Sequence, residues 1–245
     1  MNAAQIPAEL ASLPLAHCAG RPQAGAYPER LKPILSLAAH EEAMAEIAQW
    51  PGYAPTPLVS HAGIARAAGL GAIHYKHEAG RFGLGSFKAL GGAYAVLRLL
   101  KKEILSRTGQ QASSRDLLEG KFRDVVADIT VTCATDGNHG RSVAWGAQVF
   151  GCQCVIYIHS TVSEGRRAAI ARYGAEVVRT AGNYDDAVRA ADAAAREHGR
   201  FVVSDTSYPG YTDVPRDVMQ GYSVMVEEAL RQWPEAAAPS HVFIQ

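Results

Sequence analysis

With 245 residues, 48% of them hydrophobic, the chain is long enough to bury a sizeable core in one large or two small domains. Its 24 basic and 24 acidic residues cancel, which argues against an electrostatic footprint for nucleic acid or an anionic membrane and favours small-molecule chemistry. No uncharged apolar run reaches the roughly 20 residues of a membrane span. The N-terminus has no basic residue before Arg21 and no long apolar core, unlike a secretory signal. Cys18, Cys133, Cys152 and Cys154 form no metal-ligand spacing with the nine histidines, so the expectation is a reducing, cytoplasmic location.

Pro7, Pro14, Pro22, Pro28 and Pro33 stand too close together for a long helix. Residues 1–35 therefore read as an extended arm, suited to lie on a partner subunit, or as a loosely packed terminus. A short helix is expected over 41–49, stopped by Pro51-Gly52, and Pro55-Thr56-Pro57 sets a rigid turn. The pattern predicts a helix over 59–68 closed by Gly69, a strand over 73–76 and a helix over 89–100. Gly91 and Gly92 inside that last helix each cost about 1 kcal/mol relative to alanine, which implies that something approaches closely there. Residues 103–124 read as a polar helix and connection.

From residue 129 a strand-then-helix rhythm sets in, the pattern of a parallel sheet covered by helices. Strands are expected over 129–134, 154–158, 176–179, 201–204 and 241–245, and helices over 138–150, 162–173, 184–198 and 214–232. Thr161 with Glu164 reads as a capping box, Asn183 as an N-cap, and Gly151, Gly174 and Gly199 as left-handed helix ends. A strand over 241–245 would be apolar and in need of cover, so the sequence reads as C-terminally truncated, one piece of a longer enzyme.

Six lysines stand beside eighteen arginines, which makes each lysine informative. Lys88 lies in Gly80-Arg-Phe-Gly-Leu-Gly-Ser-Phe-Lys-Ala-Leu-Gly-Gly, between a strand and a helix. A lysine that bonds covalently to a carbonyl cofactor needs backbone that permits close approach and a helix N-terminus that favours the free amine. Lys88 meets both conditions, although a glycine-rich turn with a surface lysine has the same pattern. Gly80 and Gly85 have the P-loop separation, but Ser86 stands where a P-loop needs lysine, and a dinucleotide fingerprint needs glycine at 88. Lys101 and Lys102 read as dipole-complementing charges ending a helix, and Lys76, with His74 and Glu78 on its face, as a solvated rim position. Thr135-Asp136-Gly137-Asn138-His139-Gly140 and Ser204-Asp205-Thr206-Ser207 each follow a strand at the carboxyl edge of the sheet, where open α/β folds bind ligands. Asp136 also suits a plain helix cap, Asp205 a turn, Asn138 and His139 satisfied polar groups, and His159 a rim residue.

Ser86-Phe87-Lys88 entering a helix, followed by Asp136-Gly137-Asn138-His139-Gly140, resembles the fold-type II pyridoxal-phosphate enzymes, the group of tryptophan synthase β, threonine dehydratase and threonine synthase. Asp136 in place of the usual serine, with Asn183-Tyr184-Asp185-Asp186, Asp205-Thr206 and Met219-Gln220-Gly221-Tyr222, is similar to the diaminopropionate ammonia-lyase family within it. The resemblance covers about residues 40–245 and implies an α/β chain of tryptophan synthase β-like architecture: two three-layer αβα domains with mostly parallel sheets. In that frame residues 1–40 are an N-terminal arm, 41–88 and 207–245 parts of an incomplete larger domain, and 89–206 the smaller one. The family's phosphate loop and its partner for the pyridine nitrogen are expected beyond residue 245. The resemblance implies that Lys88 carries pyridoxal 5'-phosphate, that Phe87 and Asn138 contact the cofactor, and that Asp136 and Asp205 act on the D and L substrate respectively. The expected reaction eliminates ammonia from 2,3-diaminopropionate, giving pyruvate and two ammonia in a cytoplasmic homodimer. A serine or threonine dehydratase and a non-catalytic remnant of the same fold are the competing readings.

Overall fold

A computed structural model of the protein describes residues 25–236 and 238–244. The arm expected over 1–35 falls largely outside them, and so does Cys18; Glu29–Leu31 form a 3-10 turn. Helix α1 (Leu37–Ile47) starts four residues earlier than the periodicity predicts, because the Ser36 side chain accepts from the Ala39 N–H and caps it.

The helix expected over 59–68 is instead strand β1 (Leu58–Ser60) followed by α2 (Ala62–Ala67). Leu58, Val59 and Ser60 pair antiparallel with Lys76, Tyr75 and His74 of β2 (His74–Lys76), and this pairing outweighs the weak local helical signal. Lys76 is not a solvated rim residue: its Nζ lies 2.8 Å from Glu228 on a side chain only 11% exposed. Helix α3 (Lys88–Thr108) runs eight residues past its expected end, to a left-handed Gly109. Lys101 therefore does not end the helix but pairs with Glu42 and Glu46 of α1. The 103–124 region resolves into the end of α3 and two short helices, α4 (Ser114–Leu118) and α5 (Arg123–Ala127).

The alternating region matches its pattern closely: β3 (Thr130–Ala134), α6 (Asn138–Phe150), β4 (Gln153–Ile158), α7 (Glu164–Ala171), β5 (Glu176–Arg179), α8 (Tyr184–His198), β6 (Phe201–Val202) and α9 (Asp213–Arg231). The four strands form one parallel sheet in the order β5-β4-β3-β6. Alternation along β4 gives the sheet its two covered faces. Val155 and Tyr157 pack on Ala187 and Ala191 of α8, while Cys154, Ile156 and Ile158 join the main core with α6. Among the described residues no helix is long and apolar enough to cross a membrane.

Three sequence expectations change here. Strand β6 is two residues long because, although the Val203 N–H still donates to the Thr132 carbonyl, the Val203 carbonyl accepts from His139 Nε2 instead of carrying the ladder on, while the Tyr211 hydroxyl closes the outer edge by donating to the Val202 carbonyl and accepting from the Ser204 N–H. The N-cap of α7 is Ser163, which accepts from the Arg166 N–H, so Thr161 and Glu164 make no capping box. Residues 241–244 form no strand and pair with none, and Phe243 is 92% exposed. A strand needs a partner for its ladder, and none of the described strands lies beside them.

The helical layer beneath the sheet is held at close range by glycines. A Cβ on Gly91 or Gly92 of α3 would run into Tyr222 or Ser142, and one on Gly146 of α6 would lie 2.8 Å from the Ala93 Cα. The paired glycines that weaken α3 as an isolated helix thus admit α6 on one side and α9 on the other.

Candidate active site

Residues 81–87 lead from the β2 side into α3 through left-handed backbone at Phe82 (φ 48°), Gly83 (φ 71°) and Gly85 (φ 71°). Phe82 is the sole non-glycine residue with positive φ among those described. It is held by stacking on Trp145 of α6, centroids 4.7 Å apart, while Arg141 of the same helix donates to the Leu84 carbonyl. This fixed loop sets Lys88 at the first position of α3.

Lys88 opens into a cavity of about 410 Å³ at the carboxyl edge of the sheet, lined among others by Asp136, Asn138, His139, Arg141, Tyr184 and Asp205. The three side chains singled out from sequence as acid, acid and amine therefore share one space. Lys88 Nζ donates to Asp205 Oδ2 at 3.0 Å and stands 5.4 Å from the ring centroids of both Phe87 and Tyr222. Asp205 is set there by the short β6 and the Tyr211 bonds beyond it. Burial pushes its carboxyl up, but the facing His139 and Lys88 together hold it below the ordinary value, as an acceptor.

Asp136 is not the plain helix cap that its position suggests. Gly137 occupies the N-cap of α6 without a side-chain bond, and the loop is stapled by Thr135 Oγ1, which accepts from the N–H groups of Gly137 and Gly140. The Asp136 side chain, 66% exposed, meets His159 Nε2 at 2.9 Å. Asn138 accepts from Arg141 through its amide oxygen at 3.1 Å.

His139 takes a place that sequence reasoning assigned to a satisfied polar group. Its Nε2 donates to the Val203 carbonyl at 2.8 Å, and its Nδ1 faces Asp205 Oδ2 at 3.6 Å. Burial holds the imidazole below its usual value despite the carboxylate. Its position directly after Asn138, at the start of a helix on the ligand edge, was the one available signal. Tyr184, the first residue of α8, completes the wall, its phenol pushed up by burial and by Asp205.

The residues suit an aldehyde cofactor. An amine, an amide and an aromatic ring adjoin the cavity, and His139 Nδ1, Arg141 Nε and Ser86 Oγ are buried without a hydrogen-bond partner. Among the described residues no cluster of histidine, cysteine or acid could hold a metal ion.

The chain is 40% identical over 197 residues to the diaminopropionate ammonia-lyase of Salmonella typhimurium, covering 80% of this chain and 48% of that protein. It is 29% identical over 225 residues to a probable D-serine dehydratase of Acidovorax ebreus, covering 87% of this chain and 47% of that one. Among solved structures, the Escherichia coli diaminopropionate ammonia-lyase in complex with D-serine superposes with a TM-score of 0.75 at 39% identity, covering 82% of this chain and 50% of that one. The chain thus spans about half the length of the relatives it matches. Residues 49–245 match the family described as pyridoxal-phosphate dependent enzyme, and with Lys88 at the head of α3 facing the ligand edge of the sheet, the chain belongs to that family.

Proposed function

We propose that the full protein is a diaminopropionate ammonia-lyase, converting both enantiomers of 2,3-diaminopropionate to pyruvate and two ammonia. The observation that carries this reading is the meeting of Lys88, Asp136 and Asp205 around one cavity. Lys88 would hold pyridoxal phosphate covalently, with Phe87 and Asn138 bordering it. When bound, the cofactor supplies the sink for the electron pair left at the substrate α-carbon.

The chain's own residues do the proton work. Asp205, kept ionised beside Lys88, takes the α-proton of the L substrate; Asp136 takes that of the D substrate from its own side of the cavity. A carboxylate at 136 also attracts the substrate's second ammonium group, for which the serine of related enzymes has no charge to offer. That difference separates this reading from a serine or threonine dehydratase, to which the similarity with D-serine dehydratases otherwise points. We take residues 89–206 as the smaller domain and 41–88 with 207–245 as part of the larger. We take the full protein as a cytoplasmic homodimer without nucleic-acid or membrane partners.

The test is release of pyruvate and ammonia from each enantiomer by the full-length protein. Lys88→Ala should abolish turnover and remove the borohydride-trappable bond to that lysine. Asp136→Asn should lower kcat at least tenfold more on the D than on the L substrate, and Asp205→Asn the reverse. Activity confined to serine or threonine would favour the dehydratase, and equal losses on both enantiomers would contradict the division of labour.

A further inference from the structure

Asp136 is an unusual acid in that nothing on its own loop restrains its side chain. It makes no capping bond and is mostly exposed at the cavity, free to rotate about two torsions unless something outside the loop grips it. His159, the first residue after β4, provides that grip: its Nε2 lies 2.9 Å from Asp136 Oδ1. Nδ1 of the same ring lies 3.0 Å from Thr161 Oγ1. A hydroxyl donating to Nδ1 leaves the proton of the neutral ring on Nε2, facing Asp136.

The imidazole is itself fixed. Its side chain is 16% exposed, it meets Tyr184 edge-on at 6.5 Å between centroids, and Arg179 donates to the His159 carbonyl at 3.4 Å. His159 is absent from the cavity wall, so it reaches Asp136 from outside the reacting space. One carboxylate oxygen is thereby occupied, and Asp136 Oδ2 is left for the cavity.

We infer that His159, with its tautomer set by Thr161, is a positioning residue that fixes Asp136 in the orientation needed for proton abstraction and so governs turnover of one substrate enantiomer. This rests on the reading of Asp136 as the acid that serves the D substrate. His159→Leu should lower kcat on D-2,3-diaminopropionate by about 10- to 100-fold, the scale of a misplaced catalytic group, with KM changed less than threefold. Turnover of the L substrate, served by Asp205, should stay within about twofold. His159→Gln, which returns an N–H donor at similar reach, should recover most of the loss.

A second measurement is independent of turnover. In the holoenzyme, imidazole 15N shifts should show the Nε2-protonated tautomer of His159, with the Nε2 proton slow to exchange. Asp136→Ala should remove that protection. An Nδ1-protonated ring, or protection unchanged in Asp136→Ala, overturns the inference through its geometry. Equal loss on both enantiomers in His159→Leu, no loss at all, or a glutamine variant no better than leucine, overturns it through function. If Asp136→Asn spares the D substrate while the 15N signature is present, the assignment of Asp136 is what fails, and the catalytic part of the inference fails with it.

Discussion

Asp217 is a carboxyl that the fold holds against its chemistry. Burial pushes it up to about 6, with the Arg98 guanidinium at 3.5 Å and Arg216 offsetting only part of that rise and Asp213 and Glu42 adding to it. The folded chain therefore binds this proton more tightly than the unfolded one, whose aspartate titrates near the ordinary value of about 3.9. Its contribution to stability is complete below about pH 4 and is lost as pH rises through about 6. Asp217→Asn should match the parent protein at pH 4 and exceed it at pH 7.5 by about 1 to 3 kcal/mol, read from urea unfolding at the two pH values. A constant difference across that range would show that the carboxyl does not titrate there. None of this is visible in sequence, where Asp217 sits among polar residues of an amphipathic helix. Lys88, Asp136 and Asp205 were legible because each follows or precedes an element at the ligand edge, so their convergence follows from topology. The buried Lys76 was misjudged because what matters about it is a partner distant in the chain, Glu228, and the acids that His139 and His159 meet, Asp205 and Asp136, are likewise invisible from local sequence.

At the level of elements, reading succeeded where the signal is local and failed where it lies in pairing. Helices α6 and α8 have the predicted ends because Gly151 and Gly199 take left-handed backbone, at φ 86° and 64°, and Asn183 closes a capping box with Asp186. Strand β1 could not be read, since three residues become a strand only through β2, and the His139 ring that draws the Val203 carbonyl out of the β6 ladder acts from 64 residues away. The close helix crossing was anticipated at Gly91-Gly92 but not at Gly221 of α9, whose partner is backbone. A Cβ there would strike the Leu90 carbonyl oxygen, which cannot rotate away as a side chain can. Gly221→Ala should therefore destabilise by about 1 to 3 kcal/mol or more, although alanine is the better helix former by about 1 kcal/mol. Gly165, on the exposed first turn of α7 with nothing near its Cβ, is the control: Gly165→Ala should be neutral or stabilising. Denaturant midpoints of the two variants should move in opposite directions or, at the least, differ by that amount.

Across the whole molecule, the β1–β2 pair is joined to the helical layer through buried charge more than through shared apolar surface. Arg81, 1% exposed, donates to both carboxylate oxygens of Glu78 and of Glu228, to Thr56 Oγ1 and to the Ala54 carbonyl. Lys76 adds a second cation at 2.8 Å from Glu228, and Tyr53 donates to the same carboxylate at 3.1 Å. Burial raises the Glu228 carboxyl, but the two cations hold it below its ordinary value, so it stays charged. The group ties residues 53–56, strand β2 and the turn that opens the Lys88 loop to the last third of α9. Replacing one member strands its partners in a poor solvent, whereas replacing an opposed pair removes the desolvation along with the attraction. Glu228→Leu should cost about 3 to 5 kcal/mol, leaving two buried cations, Arg81 and Lys76, to share the one carboxylate of Glu78. Adding Arg81→Met to it should recover part of that loss, because the remaining Lys76 and Glu78 then balance in charge. Non-additivity of this sign in equilibrium unfolding is the expected result, and additive losses would mean that each bond in the cluster acts alone. Because Arg81 lies next to Phe82 in the loop that sets Lys88, the single variant should also bind pyridoxal phosphate more weakly than the double, measured by the visible band on titration. The stability and loading effects then share one cause: the same buried charges anchor the sheet pair and fix the backbone from which the amine projects.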